Sequence, residues 1–237
     1  MRHNSFLGIH TRRALARFGF DFITWQTIRR CTTTLVGSEH GGWSIPLPLL
    51  KPGSLCYLVG AGEDISCDLE LSRLGHAVYI FDPTPRSIRY VKEHTDGKIH
   101  FSPVGVWSNN ETKRFYTPKD PAHVSHSILN LQKTEAYFDA PCKTIRTLME
   151  ENGHTALDLL KLDIEGAEYE VVDSILRDRI PVRVLCVEFD ELRNPLEGHY
   201  YGGYLERIRS VAKRLAENGF RLIKADKSNF TFLGPTA

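Results

Sequence analysis

The chain has 237 residues, 41% hydrophobic and 25% charged, with a formal net charge of +1, which is the balance of a soluble globular protein long enough to bury a full core. Near-neutral charge supplies no bulk field for nucleic acid. No apolar run approaches the ~18 residues of a spanning helix, and the N-terminus lacks a signal peptide's apolar region. Neither nucleic-acid binding nor stable membrane insertion is therefore expected. Five cysteines, at 31, 56, 67, 142 and 186, include no Cys-x-x-Cys pair. An odd count with Cys56 and Cys186 inside apolar runs reads as reduced thiols in a cytoplasmic protein, not a disulfide framework or a zinc site.

Residues 1–49 read as a basic, aromatic helical extension. Over 11–30, Arg12, Arg13, Arg17, Arg29 and Arg30 face the single acid Asp21 and alternate with Phe18, Phe20, Phe22, Trp25 and Ile28. Such a segment folds back over its own domain or offers a homodimer contact, the alternative being an amphipathic element that touches an acidic surface. Residues 50–237 form the main domain. Strand and helix patterns alternate there: strand 54–59, helix 64–74, strand 77–81, helix 85–94 and strand 98–102, an order that predicts a parallel sheet covered by helices. The stretch 103–140 reads as irregular, with one short strand near 114–117 and functional loops. A helix at 144–152, strand 157–162, helix 166–177 and strand 182–189 follow. Residues 204–218 carry the clearest helical spacing, with Gly219 at the capping position, and 220–233 read as a closing hairpin.

The chemistry concentrates where strands end. Ligands of open α/β sheets sit outside the carboxyl ends of the strands. Leu157–Leu162 runs directly into Asp163, Glu165, Gly166 and Glu168, so these carboxylates are candidates for catalysis; the plainer alternative is that they favour the positive N-terminus of the next helix. The first strand ends in Gly60-Ala61-Gly62, small residues that let backbone approach a ligand. Ile65 stands where a dinucleotide fingerprint places its third glycine. About 20 residues on, Asp82 closes the second strand, positioned for a ribose diol. His126, within Val124-Ser125-His126-Ser127, is a candidate base or substrate-orienting group. The run 198–204, with glycines between tyrosines, reads as either a closing loop or a tethered connection.

Together these residues resemble the FkbM-type S-adenosylmethionine-dependent methyltransferases. The most specific part is Lys161-Leu162-Asp163-Ile164-Glu165-Gly166-Ala167-Glu168, supported by Gly60-Ala61, by Asp82-Pro83-Thr84-Pro85 and by Cys186-Val187-Glu188-Phe189. The resemblance covers roughly 50–233. It implies a Rossmann-like class I α/β fold, with a mostly parallel seven-stranded sheet, a C-terminal antiparallel hairpin and helices on both faces. It implies S-adenosylmethionine as cofactor, with S-adenosylhomocysteine as product, held by Gly60, Ala61, Gly62, Asp64, Asp82, Pro83, Thr84, Val104, Gly105 and Asp163. Catalysis falls to Asp163, Glu165, Glu168 and His126, and the acceptor is a hydroxyl on a carbohydrate or secondary metabolite, a small-molecule or glycan partner. One departure is Leu58, where the family carries an aspartate that helps hold the cofactor's amino-acid portion; Glu63 or Asp64 is a substitute. No metal is expected, the alternative being Mg²⁺ on Asp163, Glu188 and Asp190. The competing functions are an NAD(P)-dependent oxidoreductase and a nucleoside-binding protein without turnover.

Overall fold

The computed structural model of the protein describes residues 31–120, 122–189, 204–226 and 228–235. A hairpin of β1 (Thr34–Val36) and β2 (Trp43–Ile45) and a 3-10 turn at Leu47–Leu49 precede β3 (Leu55–Val59), α1 (Ser66–Arg73), β4 (Ala77–Phe81), α2 (Pro85–His94) and β5 (His100–Ser102). Three further strands follow, β6 (Gly105–Val106), β7 (Glu111–Tyr116) and β8 (Tyr137–Lys143). Then come α3 (Ile145–Glu151), β9 (Leu157–Leu162), α4 (Glu168–Arg177), β10 (Val182–Glu188), α5 (Tyr204–Glu217), β11 (Arg221–Asp226) and β12 (Asn229–Leu233).

Short apolar runs become strands buried on both faces. The main sheet has the order β5-β4-β3-β9-β10-β12-β11. Neighbours from β5 to β10 pair in parallel, and β12 lies antiparallel between β10 and β11. This is the Rossmann-like class I architecture implied by the sequence. Alternate residues point to opposite faces. Tyr57, Val59, Leu160, Leu162 and Val187 pack under α3, α4 and α5, whereas Cys56, Leu58, Leu159, Val184 and Cys186 pack under α1, α2 and the β1–β2 hairpin. On α5, Ile208, Val211 and Leu215 are at most 1% exposed, each stabilising by roughly 1.5–3 kcal/mol through burial. The order reverses at β3, with β4 on one side and β9 on the other. The carboxyl ends of these three strands consequently open one cleft.

Two expectations are corrected. Residues 31–49 form a hairpin and a 3-10 turn instead of a helical extension, with Val36, Trp43 and Ile45 buried against the main sheet. The segment 11–30, with its expected homodimer contact, lies outside the described residues, as do Asp190 and the loop 198–203. The stretch 103–140 is not irregular, because β6, β8 and β7 form a three-stranded sheet in that order. Asp139 and Pro141 obscured β8, since proline argues against a paired strand, yet Phe115 stacks on Phe138 across β7 and β8 and fixes the register. The cysteines at 56, 67, 142 and 186 are buried free thiols, and no described helix is long and apolar enough to cross a membrane.

Candidate active site

The chain leaves β3 through Gly60 and Gly62, both left-handed at φ +85° and +54°. At Gly60 a second constraint applies: a Cβ would come within 1.8 Å of the Asp163 carbonyl, so only glycine lets the ends of β3 and β9 lie this close. Asp82, at the end of β4, fixes the loop. Its Oδ2 accepts from the Ala61 and Gly62 amides at 2.8 and 3.2 Å, and its Oδ1 accepts from the Thr84 amide and hydroxyl, both at 2.8 Å. Four protein donors engage this one carboxylate, the Gly62 amide most loosely at 3.2 Å. Asp82 thus shapes the loop as well as facing the cleft.

The end of β9 is built differently. Lys161, 4% exposed, donates to the Gly60 carbonyl at 2.9 Å and to Asp163 Oδ2 at 3.1 Å. Glu165 takes a left-handed φ of +55° and Gly166 one of +95°. For a residue with a Cβ, that conformation costs about 1–2 kcal/mol and persists only where surroundings impose it. Two neighbours do so. Glu168, fully buried, accepts from the Ile164 and Gly166 amides at 2.7 and 2.8 Å, and Ser127 donates to the Glu165 carbonyl at 2.6 Å.

These loops border a cavity of about 240 Å³. It is lined by Gly60, Ala61, Gly62, Asp64, Asp82, Pro83, Thr84, Gly105, His126, Asp163 and Glu165, all read from the sequence as site residues. Two expected residues are not in the lining. Val104 packs against the core instead, and Glu168 lies beneath the loop with both oxygens on backbone amides, a brace and not a base. Other wall residues escaped the sequence reading: His40, Gly41 and Trp43 from the hairpin, Phe115 from β7, Lys161, and Asn229 from β12. For Lys161 a signal existed, a charge inside an otherwise apolar strand. For the hairpin none did, because its approach is a product of tertiary packing.

Segment 124–128 crosses the cavity, with Val124 3.6 Å from where a Cβ on Gly62 would sit. Arg86, at the start of α2, latches it by donating to the carbonyls of Ala122 and His123 while pairing with Glu63 through two nitrogens, at 2.9 and 2.5 Å. His126 Nδ1 lies 2.8 Å from the Val124 carbonyl. A carbonyl only accepts, so Nδ1 carries a proton and, in the neutral ring, Nε2 holds the free lone pair.

Burial disfavours a charge on Lys161, but Asp163 and Asp68 hold its ammonium charged well above the usual lysine range. Burial pushes Asp68 up to about 6, opposed by Lys161, and its Oδ1 has no hydrogen-bond partner. Burial also raises Glu168, despite its two amide donors. Asp64 goes the other way: burial is outweighed by hydrogen bonds from Ser66 and Ser38, and its carboxyl lies below the ordinary range. The cavity therefore joins apolar surface from Phe81, Val106 and Phe115 to a carboxylate-rich floor. That combination suits a ligand with a flat apolar part and a cationic part. Among the described residues no group of three or more His, Cys, Asp or Glu is arranged to hold a metal.

Among solved structures the chain is similar to a fibrillarin pre-rRNA processing protein of Methanococcus jannaschii, at 12% identity and TM-score 0.43, over 78% of this chain and 70% of that chain. It is similar to magnesium protoporphyrin IX methyltransferase of Synechocystis PCC 6803 with bound S-adenosylmethionine, at 12% identity and TM-score 0.43, over 99% and 86%. A TehB-like methyltransferase of Corynebacterium glutamicum matches at 16% identity and TM-score 0.40, over 79% and 83%. Comparison with curated protein sequences found no match. The methyltransferase FkbM domain matches residues 59–222, which span the glycine loop, Asp82 and the braced segment 163–168, and the chain belongs to the FkbM methyltransferase family.

Proposed function

We propose that the protein is an S-adenosylmethionine-dependent methyltransferase that methylates a hydroxyl of a carbohydrate or secondary metabolite in the cytoplasm. The observation that carries this reading is Glu165, a carboxylate held in a left-handed conformation at the cavity wall by Glu168 and Ser127. An alcohol is too weak an acid to lose its proton unaided, so its methylation calls for a base in reach of the nucleophile. Glu165 is that base, and His126, with its Nε2 lone pair, is the second candidate.

The residues present fit the cofactor. The walls formed by Phe81, Val106 and Phe115 match a flat adenine, Asp82 faces the ribose hydroxyls, and the carboxylate-rich floor matches a cationic sulfonium and ammonium. When bound, S-adenosylmethionine would supply a methyl on a sulfonium to the acceptor oxygen, and its sulfur would leave as the neutral thioether of S-adenosylhomocysteine. The acceptor proton passes to Glu165. Gly60 and Gly62 give close backbone approach, and Asp163, paired with Lys161, fixes the floor beneath the reacting centre. Lys161 already supplies positive charge at Asp163, which favours a reaction without metal there.

The test is a thermal-shift and transfer experiment. S-adenosylhomocysteine should raise the melting temperature while NAD does not, and transfer of labelled methyl to a polyhydroxylated acceptor should survive EDTA. Stabilisation by NAD alone points to the oxidoreductase. Binding of S-adenosylhomocysteine without transfer to any hydroxyl acceptor leaves the nucleoside-binding alternative, and activity lost to EDTA and restored by Mg²⁺ makes Asp163, Glu188 and Asp190 metal ligands.

A further inference from the structure

A second cavity, of about 20 Å³, meets the first at Ser125 and Glu165, the two residues that line both. It touches neither the glycine loop nor Asp82. The polar part of its wall comes from Tyr116, Thr117, Ser125, Asn130, Gln132 and Thr134, at the end of β7 and in the connection to β8, and Glu165 is the one charged residue among the described residues of its lining. That connection is fixed by its own bonds. Tyr116 and Ser127 exchange backbone hydrogen bonds at 2.8 and 3.2 Å, the Thr134 hydroxyl donates to the Thr117 carbonyl at 2.7 Å, and the Asn130 side chain holds the amide and the carbonyl of Thr134, both at 2.9 Å.

Gln132 Oε1 accepts from the Lys119 amide at 2.8 Å, so the side-chain nitrogen is the end left for a ligand. Among the described residues that nitrogen has no acceptor, and the Ser125 hydroxyl has no partner either. An amide donor and a hydroxyl, with no cation beside them, suit a neutral hydroxyl; a phosphate or carboxylate would meet Glu165 without a counter-charge. Size narrows this further. A single water-sized group needs about 10–15 Å³, so the cavity takes one hydroxyl and excludes a ring. A ring finds its surface next door, because Tyr116 pairs with Tyr137 across β7 and β8, their ring centroids 6.2 Å apart, and Tyr137 is 48% exposed. Such tyrosines present an apolar face to a sugar ring and a polar tip to its hydroxyls.

Given the O-methyltransferase reading, on which the assignment rests, we propose that the small cavity is an acceptor subsite, which holds one neutral hydroxyl of a sugar while the hydroxyl on the adjacent ring carbon is methylated at Glu165. Hydroxyls on adjacent carbons lie about a hydrogen-bond length apart, so one faces Glu165 from the cofactor cavity while its neighbour meets Gln132 and Ser125 across the shared wall. The connection between β7 and β8 then selects the acceptor, and the loops after β3 and β4 hold the cofactor. Gln132 and Ser125 bind and orient, and the acceptor proton still passes to Glu165.

Transfer of labelled methyl by the full chain to the methyl glycosides of glucose, galactose, mannose and rhamnose, each compared with the deoxy form lacking the hydroxyl next to the methylated one, tests this. The deoxy forms should lose roughly tenfold or more in kcat/KM, the effect of a buried donor left unpaired. Gln132→Ala should raise the acceptor KM by roughly tenfold with kcat nearly unchanged, and calorimetry should show wild-type affinity for S-adenosylhomocysteine. Ser125→Ala should act in the same direction, which keeps the test open if loss of the Lys119 contact unsettles Gln132→Ala. Equal rates on the deoxy glycosides, an acceptor KM unchanged in both variants, or transfer to simple alcohols but to no glycoside overturns the subsite. A chain that binds S-adenosylhomocysteine but methylates no hydroxyl overturns the O-methyltransferase reading beneath it, and one that does not bind it overturns the cofactor reading.

Discussion

The ends of β3 and β9 lie side by side and solve one backbone problem in two ways. Both strands must turn sharply into a helix, and both use left-handed residues to do so. At β3 the left-handed residues are Gly60 and Gly62, which take that conformation without strain. At β9 the first is Glu165, for which it is costly, and Glu168 and Ser127 brace it there. A glycine suffices where only backbone must approach the ligand. Under the proposed function a strained glutamate persists at β9 because its side chain is itself required.

The sharpest way to break this comparison is to remove the chemistry at β9 while keeping its shape. Glu165→Gln should bind S-adenosylhomocysteine and melt near wild type, yet lose roughly a hundredfold or more in turnover, the usual range for a general base. Single-turnover kinetics with an identified acceptor checks it; retained turnover transfers the base role to His126. Asp163→Asn is a less clean probe than its strand-end position alone suggests. It removes the anion beside the buried Lys161 ammonium, so melting temperature should fall together with turnover.

Removing the brace should hurt stability first. Glu168→Ala strips the acceptor from two amides, and an unsatisfied buried donor costs about 1–3 kcal/mol, so denaturant unfolding should show a loss of at least this size. A variant as stable as wild type would mean that the loop holds Glu165 without its brace. On the β3 side, Asp82→Ala should weaken S-adenosylhomocysteine by roughly tenfold or more, through the loop amides and the ribose face together. Unchanged affinity by calorimetry would move the nucleoside away from β4.

The smallest effect concerns Asp68, buried on α1 within reach of the Lys161 charge. Its carboxyl is raised by burial to about 6, against 3.8 when unperturbed. Between these pH values the folded chain holds a proton that the unfolded chain has released, so stability falls as pH rises through that window. Asp68→Asn should therefore raise the melting temperature at pH 8 by several degrees, and lose the advantage near pH 4. A pH-independent change would assign the effect to packing.

Most of the main sheet was legible because its strands announce themselves: Leu55–Val59 and Leu157–Leu162 are apolar runs ended by glycine or carboxylates, and α5 carries a clear apolar stripe. The β1–β2 hairpin and the β6-β8-β7 sheet were not. Phe115 and Val36 are buried in strands whose other residues are mostly exposed, and such pairing is decided by what packs against them. The same division holds in the site. Asp82, Asp163 and Glu165 sit at strand ends, where topology alone predicts a cleft. Glu168 reads as a helix-start acid whether or not it braces a loop, and Trp43 and His40 reach the cavity only through the folded hairpin.

The central claim, that the left-handed glutamate is retained for its side chain, is tested most directly by Glu165→Gly, measuring melting temperature and turnover on the same preparation. Glycine relieves the backbone, so the variant should melt at or above wild type, since the conformation costs a residue with a Cβ about 1–2 kcal/mol. Turnover should nevertheless fall by a hundredfold or more. A variant that keeps its turnover, or one that loses both stability and turnover together, would contradict the claim and make Glu165 a structural residue.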